Sequence, residues 1–205
     1  MSEKIYLYPM WIRLWHALNA ILIILLIITG VSMQYTDPSN PLIRFDIAVK
    51  MHNISGMILT LNYLIFLTGS FITPNGKYYK LTLKGLFPRL MKQFMFYTFG
   101  IFKHEKAPFP VTKESKFNPL QQFTYVIAMF MLVPIVIVTG WALLYPEVVL
   151  TKFLSGSGLR VNDFIHVIIG FFVSFFMFIH IYFCTIGATF VSNFKSMITG
   201  FHESH

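Results

Sequence analysis

Charge is what this sequence has least of. Asp, Glu, Lys and Arg make up 12% of its 205 residues, against 56% hydrophobic residues. A soluble domain carries about a quarter charged residues to cover its surface, so an ordinary water-soluble fold is excluded. Cysteine is nearly missing too. Cys184 stands alone, which leaves no disulfide framework and no cysteine-held zinc or iron–sulfur centre. A lone cysteine in an apolar run reads as a small packing residue. The first apolar run is followed by no small-residue cleavage site, and similar runs recur downstream. It is therefore expected to be retained as a span rather than removed as a signal.

What the sequence does have is long apolar runs. The stretches 14–36, 51–76, 117–146 and 164–194 contain no Asp, Glu, Lys or Arg. A helix needs about 20 apolar residues to cross the hydrocarbon core. The expected architecture is a single all-α membrane domain over 1–205, a four-helix bundle with spans at 10–33, 48–72, 120–144 and 162–189. Pro9 suits the first turn of the first helix, and "TDPSNP" supplies a turn after it. Pro134 falls inside the third span, where a kink is expected that neighbouring helices must accommodate.

The few charges are unevenly placed. Lys77 to Lys116 holds nine Lys or Arg and two acids, and Lys4, Arg13 and Lys195 fall on the same side if four helices alternate. The other side keeps Arg44, Lys50, Lys152 and Arg160. Twelve basic residues against four place both termini and the long middle loop in the cytoplasm of a bacterial-type inner membrane. The net charge of +8 then reads as topology and lipid headgroup contact, not as nucleic-acid binding. Trp11, Trp15, Trp141 and Tyr145 lie near span ends, where interfacial anchors sit.

Four of the seven histidines, His16, His52, His166 and His180, fall within spans, while His104, His202 and His205 lie in the loop and tail. Ionisable residues inside a membrane usually face the bundle interior and serve function. His166 and His180 are fourteen residues apart, a rise of about 21 Å and about 40° short of whole turns. They share one face of span four, one near each membrane surface. Chain direction puts His52 level with His166 at the outer side and His16 level with His180 at the inner side.

Each level thus presents two imidazoles across a helical interior, which suits bis-histidine ligation of a haem. Such a site leaves no open position for a substrate and fits electron transfer. Gly30, fourteen residues after His16, would make room for the outer macrocycle, and Gly56 and Gly170 lie one turn beyond their histidines. Small residues in membrane helices also serve packing. Zinc or copper would need three or four converging ligands, and a proton relay would call for intramembrane carboxylates that the spans lack. The rival readings are a haem-free membrane anchor and a small transporter, with histidines that only pack helices. A faint internal likeness is present: Thr29-Gly30 and Thr139-Gly140 end spans one and three, while His52-x-x-x-Gly56 and His166-x-x-x-Gly170 open spans two and four.

Arg13-x-x-His16, Thr29-Gly30, His52 and the His166/His180 pair together carry a family likeness. The chain resembles the four-helix di-haem b-type cytochrome subunits of respiratory complexes: the gamma subunit of formate dehydrogenase-N, the cytochrome b of nickel–iron hydrogenases and thiosulfate reductase cytochrome b. The tail "HIYFCTIGATFVSNFKSMITG", 180–200, is most similar to the thiosulfate-reductase-like branch. The chain departs from the family where Trp often follows the first histidine; here Ala17 follows it and Trp15 precedes it.

The resemblance implies two b haems, an inner one beside a quinone site and an outer one exchanging electrons with a periplasmic subunit that carries iron–sulfur clusters or haems. The chain would then be the electron-transferring, quinone-reactive anchor of a hetero-oligomeric oxidoreductase, not itself the enzyme for the periplasmic substrate. Menaquinone and ubiquinone are both open. The family's Asn-x-x-Gln-like quinone element matches Asn118 and Gln121, with Gln122 as a register alternative. The same residues read equally as a helix start, with Asn118 as N-cap and Pro119 at the first helical position. Arg13 could pair with a haem propionate or snorkel to the surface, and Arg160 and Lys50 share that ambiguity at the outer side.

Overall fold

The computed structural model describes residues 4–37, 39–147, 158–187 and 189–203; Lys152 and His205 lie outside them. Four helices are long and apolar enough to cross a membrane: α1 (Met10–Tyr35), α2 (Phe45–Ile72), α4 (Pro119–Leu144) and α5 (Gly158–Cys184). A short α3 (Leu86–Met95) and α6 (Ser192–Thr199) lie between and after them, with strands β1 (Lys4–Tyr6) and β2 (Phe201–Glu203) near the ends.

Helix limits follow local chemistry. Pro9 stands just before α1, and its carbonyl accepts from the Ile12 and Arg13 N–H groups at 3.0 and 3.2 Å. Beyond α1, Asp37 closes an Asx turn, its Oδ1 accepting from the N–H and hydroxyl of Ser39 at 2.8 and 2.7 Å. The α2 helix starts three residues earlier than expected because Asp46 sits in its first turn, where the helix dipole favours an anion.

The α4 helix opens on the Asn118–Pro119 start and contains a π-helical turn, Ala128–Leu132, just before Pro134. Proline has no N–H to give and its ring collides with the carbonyl four residues back, so a widened turn there relieves the ladder. The α5 helix begins at Gly158 rather than 162 and ends at Cys184 rather than 189. Asn193 ends it, its side-chain amide donating to the carbonyls of Cys184 and Ile186 at 3.2 and 3.1 Å.

The chain gathers into two compact units. The first holds the described parts of Met1–Arg13, Gly69–Phe130 and His180–His205. Here β1 pairs antiparallel with β2, Ile5 opposite His202, which holds both ends of the described chain together, as an even number of crossings requires. Gly200 makes this docking possible. Its φ of +89° is left-handed, and a Cβ there would lie 2.7 Å from the Tyr6 ring and 2.9 Å from the Tyr8 carbonyl. The long basic loop is not structureless: α3 presents Phe87, Met91 and Phe94 to the outside, with Arg89 and Lys92 along the same helix.

The second unit comprises Leu14–Thr68 and Met131–Ile179. Trp15 is braced inside it. Its indole stacks on Phe66 at 4.6 Å and its Nε1 donates to the Asn62 carbonyl at 3.0 Å. Ser32 clamps the loop into α2, exchanging hydrogen bonds with the Ile43 backbone at 2.9 and 3.1 Å.

Candidate haem-ligand sites

His52 on α2 and His166 on α5 meet within the second unit. Their ring centres are 6.2 Å apart and their planes 71° to each other. An iron held by two imidazoles sits about 2 Å from each nitrogen, with a ring centre about 1.1 Å behind it, which sets the centres about 6.3 Å apart. The spacing of this pair fits a b-type haem with two axial histidines.

Each ring is held from behind by a threonine. Thr29 Oγ1 lies 2.9 Å from His52 Nδ1, and Thr139 Oγ1 lies 2.9 Å from His166 Nδ1. Each threonine hydroxyl also reaches the carbonyl one turn back, Leu25 and Ile135, at 2.7 Å. Both threonine contacts are made through Nδ1, and Nε2 takes no part in either. The glycines sort into two groups. A Cβ at Gly30 would lie 3.5 Å from the Cε1 of His52, so this residue sits against the ring edge. At Gly56 and Gly170 a Cβ would meet nothing within 4 Å, so the space beside both is open.

The other two span histidines are placed individually. His16, in the second unit, lies edge-on to Trp15 with ring centres 6.4 Å apart. His180, in the first unit, faces the Tyr125 hydroxyl through Nδ1 at 3.2 Å and the Cys184 sulfur through Nε2 at 3.7 Å. Arg13 donates to the carbonyls of Met197, at 3.3 Å, and Ile198, and so satisfies the C-terminal turn of α6. Arg160 is exposed on the first turn of α5.

The three amide residues near α4 form its start. Asn118 Oδ1 accepts from the Gln121 N–H at 2.9 Å while Gln121 Oε1 accepts from the Asn118 N–H at 3.2 Å, a reciprocal capping box. Asn118 Nδ2 donates to the Tyr97 hydroxyl at 2.7 Å. Gln122 Nε2 donates to the Tyr78 carbonyl at 2.8 Å. The Gln121 Nε2 amide makes no hydrogen bond among the described residues.

Residues 7–200 match the family model of prokaryotic cytochrome b561. The chain belongs to that family. Its sequence is 39% identical over 202 residues to an Escherichia coli (strain K12) protein named "Putative cytochrome YdhU", a match covering 98% of this chain and 76% of that one. No solved structure matches. As a prokaryotic cytochrome b561-family member, the chain is a multi-pass protein of the bacterial inner membrane. Membership implies b-type haem and haem-based electron transfer across the bilayer.

Several residues of this cytochrome b561-family chain were not singled out from sequence. Asn162, buried in the second unit, donates to the Thr139 carbonyl at 3.0 Å. Tyr125 is the partner of His180. Lys116 lies 4.2 Å from the centre of the Tyr8 ring, with Phe117 and Tyr78 beyond it at 5.4 and 5.5 Å. Periodicity could not find these residues, because each acts through a neighbour distant in sequence. The repeated Thr-Gly was the one visible signal, and it points at the histidine seats.

Proposed function

We propose that the chain carries electrons across the bilayer between a membrane quinone and a periplasmic redox subunit, through two bis-histidine b haems. The observation that carries this reading is the His52/His166 pair, whose 6.2 Å ring spacing suits one metal ion between two imidazoles. A haem bound there would supply a one-electron couple suited to electron transfer. His52 and His166 would hold the outer group. His16 and His180 are proposed for the inner one from helix depth in the sequence alone.

The quinone reading is supported by Gln121, whose Nε2 remains available to donate to a quinone carbonyl while its Oε1 serves the cap. Asn118 would act by holding that glutamine. Converting a quinone to a quinol takes two electrons and two protons, and at a cytoplasmic-side site those protons would come from the cytoplasm. The periplasmic subunit would carry iron–sulfur clusters or haems, with this chain as its membrane anchor in a hetero-oligomer.

The haem-to-protein ratio tests the ligand assignment. The purified protein is expected to hold two b haems, and His166→Ala or His52→Ala to hold one with the remaining low-spin spectrum intact. A folded, colourless wild-type preparation, or a His166→Ala variant that keeps both haems, would refute it.

A further inference from the structure

We infer that Thr29 and Thr139 are positioning residues for the outer histidines: each accepts the Nδ1 proton of one ring and so commits that ring's Nε2 lone pair to iron. The inference rests on the reading of His52 and His166 as ligands. Its basis is a geometry that occurs twice with the same distances. In each case the threonine oxygen is 2.9 Å from Nδ1 of the histidine and 2.7 Å from the carbonyl four residues back in its own helix.

A hydroxyl has one proton to give. Directed to the closer carbonyl, as threonines in apolar helices do, it leaves only lone pairs facing the imidazole. Nδ1 must then carry the hydrogen, and a neutral ring so protonated has its lone pair on Nε2. Thr29 and Thr139 are 1% and 7% exposed, so water cannot substitute for either hydroxyl.

The glycine after each threonine completes the seat. A Cβ at Gly140 would stand 3.2 Å from His166 Cε1, tighter than ordinary contact, and one at Gly30 would stand 3.5 Å from His52 Cε1. The ring therefore lies against bare backbone, with the hydroxyl beside it. Asn162 braces the second seat by donating to the Thr139 carbonyl. Thr-Gly at the end of one span is thus a seat for the first histidine of the next, once for α1 and α2 and once for α4 and α5. His180 faces the Tyr125 hydroxyl instead.

A hydrogen bond from Nδ1–H makes the imidazole a stronger electron donor and favours ferric over ferrous iron, besides fixing the ring. The test is redox titration and low-temperature EPR of the haem-loaded protein in mild detergent, on Thr29→Val, Thr139→Val, the two serine variants and His52→Ala. Each valine variant is expected to raise the midpoint potential of one haem, leave the other unchanged and weaken retention of the affected haem by about 10–100-fold. Each serine variant should restore the wild-type potential, because it keeps the oxygen.

Unchanged potentials and EPR signals in both valine variants, with His52→Ala losing one haem, would overturn this inference while the ligand reading stands. A serine variant shifted as far as its valine counterpart would overturn it as well, since the methyl group rather than the hydroxyl would then matter. Two haems retained in His52→Ala would instead remove the ligand reading, and this inference with it.

Discussion

At the scale of single residues, Lys116 shows how this protein holds a charge among aromatic rings. Its side chain is 4% exposed and packs over the rings of Tyr8, Phe117 and Tyr78. The π faces attract the ammonium, yet burial pushes its pKa down from the ordinary 10.5 to about 8. Tyr8 is itself pushed up to about 12 by burial, so it offers a neutral ring rather than a phenolate. Between pH 8 and 10.5 the unfolded chain binds this proton and the folded chain releases it. The fold should therefore gain stability as pH rises through that window, and lose the gain as pH falls back to 8. Lys116→Met should flatten this slope in thermal unfolding measured in detergent. Equal slopes in the two proteins across the window would disprove the assignment.

At the scale of elements, the start of α4 is a capping box, and the quinone contact proposed for it is a separate role that mutation can tell apart. Asn118→Ala should cost about 1 kcal/mol of stability through the lost cap, while Asn118→Ser should retain most of it. Quinol-driven haem reduction separates the roles further. Gln121→Ala should slow it with haem content intact, whereas an unchanged rate would leave Gln121 a cap residue only. The cap at Asn118 was legible in the sequence, because a cap depends on neighbours three residues apart. Pro134 was legible as a disturbance, but the π turn over Ala128–Leu132 was not. A proline announces a missing donor without specifying which turn widens. The α3 helix escaped notice for a related reason. Its apolar Phe87, Met91 and Phe94 are interrupted by Arg89 and Lys92, so a search for charge-free runs passes over it. An exposed apolar face rimmed by basic groups suits the headgroup boundary.

At the scale of the whole molecule, four spans and a twelve-to-four bias of Lys and Arg predict which way the chain is threaded. A reporter active only in the cytoplasm should work when inserted near residue 104, in the basic loop, and be silent when inserted near residue 40. The opposite pattern would reverse every inner and outer assignment made for the histidines. The pairing of β1 with β2 accords with this topology, since strands on opposite sides of a bilayer could not exchange hydrogen bonds. Arg13 serves the same assembly of ends through its bonds to the α6 carbonyls.

The sequence by itself determined the number of spans and their approximate limits, and it supplied the threading and the four span histidines as expectations. These depend on run length, charge count and helical spacing, which are properties of one segment at a time. Tertiary structure alone decided what each imidazole touches. That His52 and His166 stand 6.2 Å apart, and that a threonine from the preceding span stands behind each, depends on how helices rotate about their axes when they pack. A helix carries no record of that rotation in its own periodicity. In an apolar span it is settled by a few close contacts, such as Thr29 against His52 and Thr139 against His166.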